Sequence, residues 1–180
     1  MTRIHRMLAF SAVVLAAVSA RPAVAQIGVK CVGELNQSTS VAAPGQHTAA
    51  VDFSASGGGL DPTPLLSTSI TVVGAPGSKS CLIAHFSTLA VPQDNSVVFQ
   101  VSVDGVPMTG HGLFPGFSTP VVIETEETNI NQPRMVSYNF FAQVSPGRHT
   151  VRVRYAGCCS SNPNNGSGVV QSPVLTLQYR

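Results

Sequence analysis

Long stretches of this chain alternate between apolar and polar positions. Val97, Phe99, Val101 and Val103 interleave with Val98, Gln100, Ser102 and Asp104. Val151, Val153 and Tyr155 interleave with Thr150, Arg152 and Arg154, and Leu175, Leu177 and Tyr179 with Thr176, Gln178 and Arg180. Successive side chains of a strand point to opposite faces, so a period of two predicts strands with one face in a core and one in water. Less regular apolar runs predict further strands over 27–32, 48–53, 67–73, 81–91, 120–126, 135–144 and 169–170. No segment sustains the apolar stripe of a helix.

Turn chemistry separates these runs at short intervals. Asp104-Gly105 predicts a tight hairpin, because both central residues of such a turn need positive φ. Pro146-Gly147 fits a type II turn that returns the 135–144 strand into 149–155. Short strands joined by Gly/Pro turns predict an all-β fold: an antiparallel β-sandwich or jelly roll of about eight to nine strands.

The N-terminus reads differently. Arg3 and Arg6 precede an apolar run from Met7 to Ala20, which is followed by Ala23-Val24-Ala25. A positive start, an apolar middle and an A-x-A site predict a secretory signal peptide over 1–25, leaving 26–180 as one β-sandwich domain. The run is shorter than the roughly 20 residues a membrane span needs, so no stable membrane insertion is expected. The expected location is secreted or periplasmic.

Removing the leader changes the charge. The whole chain has Lys+Arg 10 against Asp+Glu 8, a net +2. Arg3, Arg6 and Arg21 leave with the leader, so seven basic residues face eight acids, a net charge of −1. Arg148, Arg152, Arg154 and Arg180 gather near the C-terminus, but four arginines are a thin footprint for nucleic acid, and no nucleic-acid partner is expected. Only 10% of residues are charged while 43% are hydrophobic, which excludes disorder and a coiled coil.

Export makes disulfides the expected state of Cys31, Cys81, Cys158 and Cys159. Adjacent Cα atoms lie about 3.8 Å apart, whereas a disulfide usually spans roughly 4.4–6.8 Å. Adjacent side chains in extended chain also point apart. Cys31 and Cys81 are therefore each expected to pair with one of Cys158 and Cys159. The alternative joins Cys31 to Cys81 and Cys158 to Cys159, with the vicinal bridge as a redox-labile switch.

Three segments carry a family resemblance: Ser80-Cys81-Leu82-Ile83-Ala84-His85-Phe86-Ser87, Phe99-Gln100-Val101-Ser102-Val103-Asp104-Gly105, and Ser145-Pro146-Gly147-Arg148-His149-Thr150-Val151-Arg152-Val153. A Val-x-Val-Asp-Gly strand followed by Pro-Gly-x-His-Thr-Val-x-Val is similar to exported bacterial and phage jelly-roll domains, some of which resemble C1q/TNF-like trimer-forming sandwiches. The resemblance implies a jelly-roll fold and a homo-oligomer, in particular a trimer. Its motifs are turn and strand chemistry, so it implies no catalytic residue.

Candidate chemistry is sparse. No G-x-S-x-G elbow occurs. His85, His111 and His149, with Glu124 and Glu126 on one strand face, are the candidates for a metal site of the kind a jelly-roll enzyme carries. Satisfied histidines and a solvated strand edge account for the same residues. Phe114 and Phe117 flank Pro115-Gly116 and read either as a ligand-binding tip or as a lid over one end of the core. With no Trp and three Tyr, a flat sugar-stacking platform is poorly supplied. The expected function is a secreted, non-catalytic binding or structural module without a cofactor. Low charge leaves its surfaces able to pack, so self-association or a glycan or cell-surface partner is expected. The alternatives are a carbohydrate-binding module using the 113–117 loop and a metal-dependent enzyme.

Overall fold

The computed structural model describes residues 34–91, 96–113, 116–124 (without the side chain of Glu124), 133–159 and 168–180. The leader, Cys31, Phe114 and Glu126 lie outside the described residues. Among the described residues eleven strands run in chain order: β1 Gln37–Ala42, β2 Gln46–Thr48, β3 Leu66–Val72, β4 Ser80–Val91, β5 Ser96–Val103, β6 Val106–Pro107, β7 Gly112–Leu113, β8 Pro120–Glu124, β9 Arg134–Val144, β10 Gly147–Cys158 and β11 Val169–Tyr179. No described residue is helical.

All strand pairings within the two sheets are antiparallel. The first sheet has the order β1-β11-β4-β9, with β2 also on β11; the second has β3-β10-β5-β8-β7, with β6 on β5. Setting aside the short β2, β6 and β7, the pairs nest. The first long strand lies beside the last, the second beside the seventh, the third beside the sixth and the fourth beside the fifth. That nesting is a long hairpin rolled into two sheets, the jelly roll.

Alternation builds the core. Val151, Val153 and Tyr155 of β10 face Leu82, Ala84 and Phe86 of β4 and Leu175 and Leu177 of β11 within one buried cluster. Phe86 and Phe99 bridge the two sheets with ring centroids 5.2 Å apart.

The structure departs from the sequence reading in five places. β1 was not expected, because its run Gln-Ser-Thr-Ser-Val-Ala is mostly polar; as an edge strand it turns only Thr39 and Val41 toward the core. The strand expected over 48–53 stops at Thr48, and the following chain leaves the first sheet to cover the second. The runs 169–170 and 175–179 are one strand, broken in register between Gln171 and Val174 at a bulge where Ser172 has φ 47 and Pro173 has no N–H to donate. Pro146-Gly147 makes no hairpin: β9 pairs in the first sheet and β10 in the second, so the turn carries the chain between layers. Finally β5, expected to be wet on one face, is buried along all eight residues, since other segments cover its outer side.

The Asp104-Gly105 hairpin is present. Asp104 (φ 51) and Gly105 (φ 83) both take positive φ and place Val103 opposite Val106.

Candidate functional site

The Asp104 turn holds a charged pair. Asp104 Oδ1 accepts the Thr150 N–H at 2.8 Å, and Oδ2 lies 2.7 Å from His149 Nδ1. His149 Nε2 lies 2.7 Å from the Ser145 carbonyl. Both ring nitrogens therefore face acceptors, and only the imidazolium donates to both. The hydrogen bond that His149 donates to Asp104 holds the His149 pKa above its ordinary value against the opposing effect of burial, with the Ser145 carbonyl helping. The Thr150 N–H and then the His149 ring hold Asp104 below the usual carboxylate range. This pair ties the β5–β6 turn to the β9–β10 crossover and forms one wall of an open cleft of about 370 Å³ that Lys79, Thr109, Phe141 and Gln143 also line. Because both nitrogens are engaged, His149 is a clamp and not a free proton carrier.

His111 is a surrogate backbone. Its Nδ1–H donates to the Met108 carbonyl at 2.6 Å, and its Nε2 accepts the Val101 N–H at 2.9 Å. The ring stacks on Phe140 with centroids 4.3 Å apart. That arrangement needs the neutral ring, and burial lowers its pKa. His85 stands on the outer face of the first sheet, with Nδ1 bonded to Asn139 Oδ1 and Nε2 3.4 Å from Gln178 Oε1. The three histidines thus have separate partners, and among the described residues no group of three His, Cys, Asp or Glu lies together. Glu124 is the last residue of β8, opposite Val97.

Phe117 is half-buried. Its ring lies 5.0 Å from that of Phe53, at a second small core of Phe53, Val98, Val121, Ala156 and Cys158. Phe53 is pinned there because its N–H donates to the Gly157 carbonyl at 2.7 Å. The 50–61 loop is stiffened by its acids. Asp52 Oδ1 accepts from Ser54 Oγ and the Ala55 N–H, each at 2.7 Å, while Asp61 takes the Ala50 and Thr63 N–H groups.

Beside this second core the expected cysteine pairing is overturned: Cys158 is bonded to Cys159. Opposed side chains hold only in extended chain. β10 ends at Cys158, and Cys159 takes φ 70, which breaks the alternation. The Cys159 N–H donates to Ser54 Oγ at 3.2 Å, joining this bend to the Asp52 turn. Cys81 is also disulfide-bonded.

The two outer faces differ sharply. On the first sheet, Ser38 and Ser40 of β1, Val174, Thr176 and Gln178 of β11, Ile83, His85, Ser87, Leu89 and Val91 of β4, and Met135, Ser137, Asn139, Phe141 and Gln143 of β9 share one side. None of them is Asp, Glu, Lys or Arg. On the second sheet, Arg148, Thr150, Arg152 and Arg154 of β10 share the outward side, next to Ser67, Ser69 and Thr71 of β3. The sequence shows these arginines as a cluster; that they form a row follows from their period of two. No sequence signal links Asp104 to His149, 45 residues apart.

No family model matches the chain, and no curated protein matches it. Among solved structures, dimeric latent PorU from Porphyromonas gingivalis is similar at 11% identity and a TM-score of 0.40. The match covers 64% of this chain and 10% of that one, so the chain spans a tenth of PorU's length. The C-terminal domain of EclA, a sugar-binding protein, is similar at 9% identity and a TM-score of 0.36, over 87% of this chain and 89% of that one. Likenesses at this level carry no argument about function.

Proposed function

We propose that the protein is an exported, non-catalytic binding module that associates with copies of itself through the outer face of its first sheet. One observation carries this reading: four adjacent strands present a side with no charged residue, while the opposite side of the sandwich bears arginines. Charged groups resist burial between proteins and are depleted at interface cores. Uncharged Ser, Thr, Asn and Gln side chains lose less on desolvation and pair with one another, as Ser40 Oγ and Thr176 Oγ1 already do at 2.9 Å. Apolar side chains stand among them, and Met135 is 74% exposed.

The face is large enough. Strands of 6, 11, 12 and 11 residues, at about 3.3 Å per residue and about 4.8 Å between strands, cover roughly 630 Å², within the roughly 600–1,000 Å² per partner of a standard interface. Native mass spectrometry of the exported protein at micromolar concentration tests the reading. We expect an oligomer, a trimer on the C1q/TNF-like resemblance, that Ser137→Glu dissociates without lowering the melting temperature. A clean monomer, or an oligomer indifferent to Ser137→Glu, overturns it.

A further inference from the structure

We propose that the arginine row of the second sheet is a binding site for an extended anionic polysaccharide, one bearing sulfate or carboxylate groups along its length. Arg148 and Arg152 are exposed and Arg154 is half-buried, held by a 3.2 Å bond from its guanidinium to Gln100 Oε1. All three stand on the outward side of β10, because Val151, Val153 and Tyr155 between them fill the core. Among the described residues no carboxylate is ion-paired with any of the three. Asp104, beside Thr150 in the middle of the row, is occupied by the Thr150 N–H and His149. Among the described residues the row is thus a line of guanidinium groups without carboxylate partners, on a protein of which only 10% of residues are charged.

Its geometry selects the ligand class. Strand rise separates Arg152 from Arg154 by about 6.7 Å and Arg148 from Arg152 by about 13 Å, all in one line on a rigid scaffold. Guanidinium forks bind carboxylate and sulfate oxygens in bidentate fashion. The neighbouring edge strand sets exposed Ser67, Ser69 and Thr71 opposite Arg152, Thr150 and Arg148, a parallel line of hydroxyls able to exchange hydrogen bonds with sugar hydroxyls. Single-stranded nucleic acid would call for aromatic platforms beside the cations, and the row has none. This site lies on the face opposite the proposed self-association surface and does not rest on it.

Binding of heparin, polygalacturonate and uncharged dextran to the full exported protein tests the proposal. We expect heparin or polygalacturonate to bind at low salt and dextran not to bind. The triple variant Arg148→Gln/Arg152→Gln/Arg154→Gln should weaken binding at least tenfold and lower the slope of log K against log salt by roughly two to three. The triple Arg→Lys variant, which keeps the charge but lacks the bidentate fork, should keep the parent's salt slope and bind several-fold more weakly, and Lys79→Gln/Arg180→Gln, off the row, should bind as the parent does. If the triple Gln variant loses its cooperative melt, Arg152→Gln alone carries the test through a several-fold loss. Failure of both anionic polysaccharides to bind, binding indifferent to the row, or tighter binding to phosphatidylglycerol vesicles or duplex DNA than to either polysaccharide overturns the proposal.

Discussion

Asp104→Asn isolates the charge in the Asp104–His149 clamp. Asn tolerates the positive φ of position 104, and its side-chain oxygen keeps the 2.8 Å bond from the Thr150 N–H. What it loses is the anionic acceptor 2.7 Å from His149 Nδ1. A hydrogen bond between charged groups contributes roughly 1.5–3 kcal/mol. The Asp104 side chain is 51% exposed, so solvent screening places the loss near the low end, about 1–1.5 kcal/mol. At about 2–4 °C per kcal/mol for a chain of this size, the melting temperature should fall by roughly 2–6 °C. The pH dependence is the sharper readout. His149 is raised above 6.5 in the fold, so its contribution is full below 6.5 and is lost as pH rises through the raised value. Asp104 is lowered below 3.8, so its contribution is present above 3.8 and is lost as pH falls through the lowered value. The gap between parent and variant in calorimetric melts should therefore be widest between about pH 4 and 6.5 and narrow by pH 9. A gap that is flat from pH 5.5 to 9, or that widens, refutes the clamp.

Three further outcomes follow from single features. His111→Ala leaves the buried Val101 N–H without its acceptor and should cost about 1–3 kcal/mol by chemical denaturation. Because His111 is held neutral with a lowered pKa, its share of stability is present above 6.5 and lost as pH falls, so this variant's deficit should shrink in acid. Gly110→Ala should destabilise by roughly 1–3 kcal/mol, since position 110 has φ 120 and a Cβ there would lie 2.8 Å from the Asn139 carbonyl oxygen. Peptide mapping without reductant should recover Cys158 and Cys159 bonded within one peptide; a cross-link from either to another segment would contradict the structure.

The strands legible in the sequence are those whose two faces differ. β10 and the 175–179 part of β11 put Val, Leu and Tyr inward and Arg, Thr and Gln outward, and a period of two reads them directly. β1 was illegible because its contribution to the core is small; it is held by its ladder to β11 and by contacts such as Thr39 Oγ1 to the Tyr179 hydroxyl at 3.1 Å. Layer assignment was hidden as well. Pro146-Gly147 reverses the chain in a hairpin and in a crossover alike, and only long-range pairing distinguishes them. The histidines behave likewise: the partners of His149 and His85 include Asp104 and Asn139, 45 and 54 residues distant, so neither role is written locally. The vicinal disulfide stands in the sequence only as the alternative pairing, because the side-chain argument against it assumes extended backbone, and one residue at φ 70 removes that assumption.

The sandwich separates its two proposed surfaces, and the separation has a measurable consequence. Ser137 stands on the uncharged side of β9 and Arg152 on the outward side of β10 in the other layer, with the buried core between them. Two packed sheets are about 10 Å apart before side chains are added, so a charge at one surface lies beyond the ≈ 8 Å Debye length of physiological salt from the other. Residues so far apart with no shared partner act additively. Ser137→Glu should therefore leave the affinity for a short heparin oligosaccharide unchanged, while the triple arginine variant leaves the native mass of the assembly unchanged. A long heparin chain behaves differently, because it reaches several protomers at once and gains from their effective concentration. Dissociation by Ser137→Glu should then weaken long-chain binding by one or two orders of magnitude with no change in any contact. If the short oligosaccharide loses affinity as steeply as the long chain, the uncharged face is itself part of the ligand site, and the assignment of one role to each sheet fails.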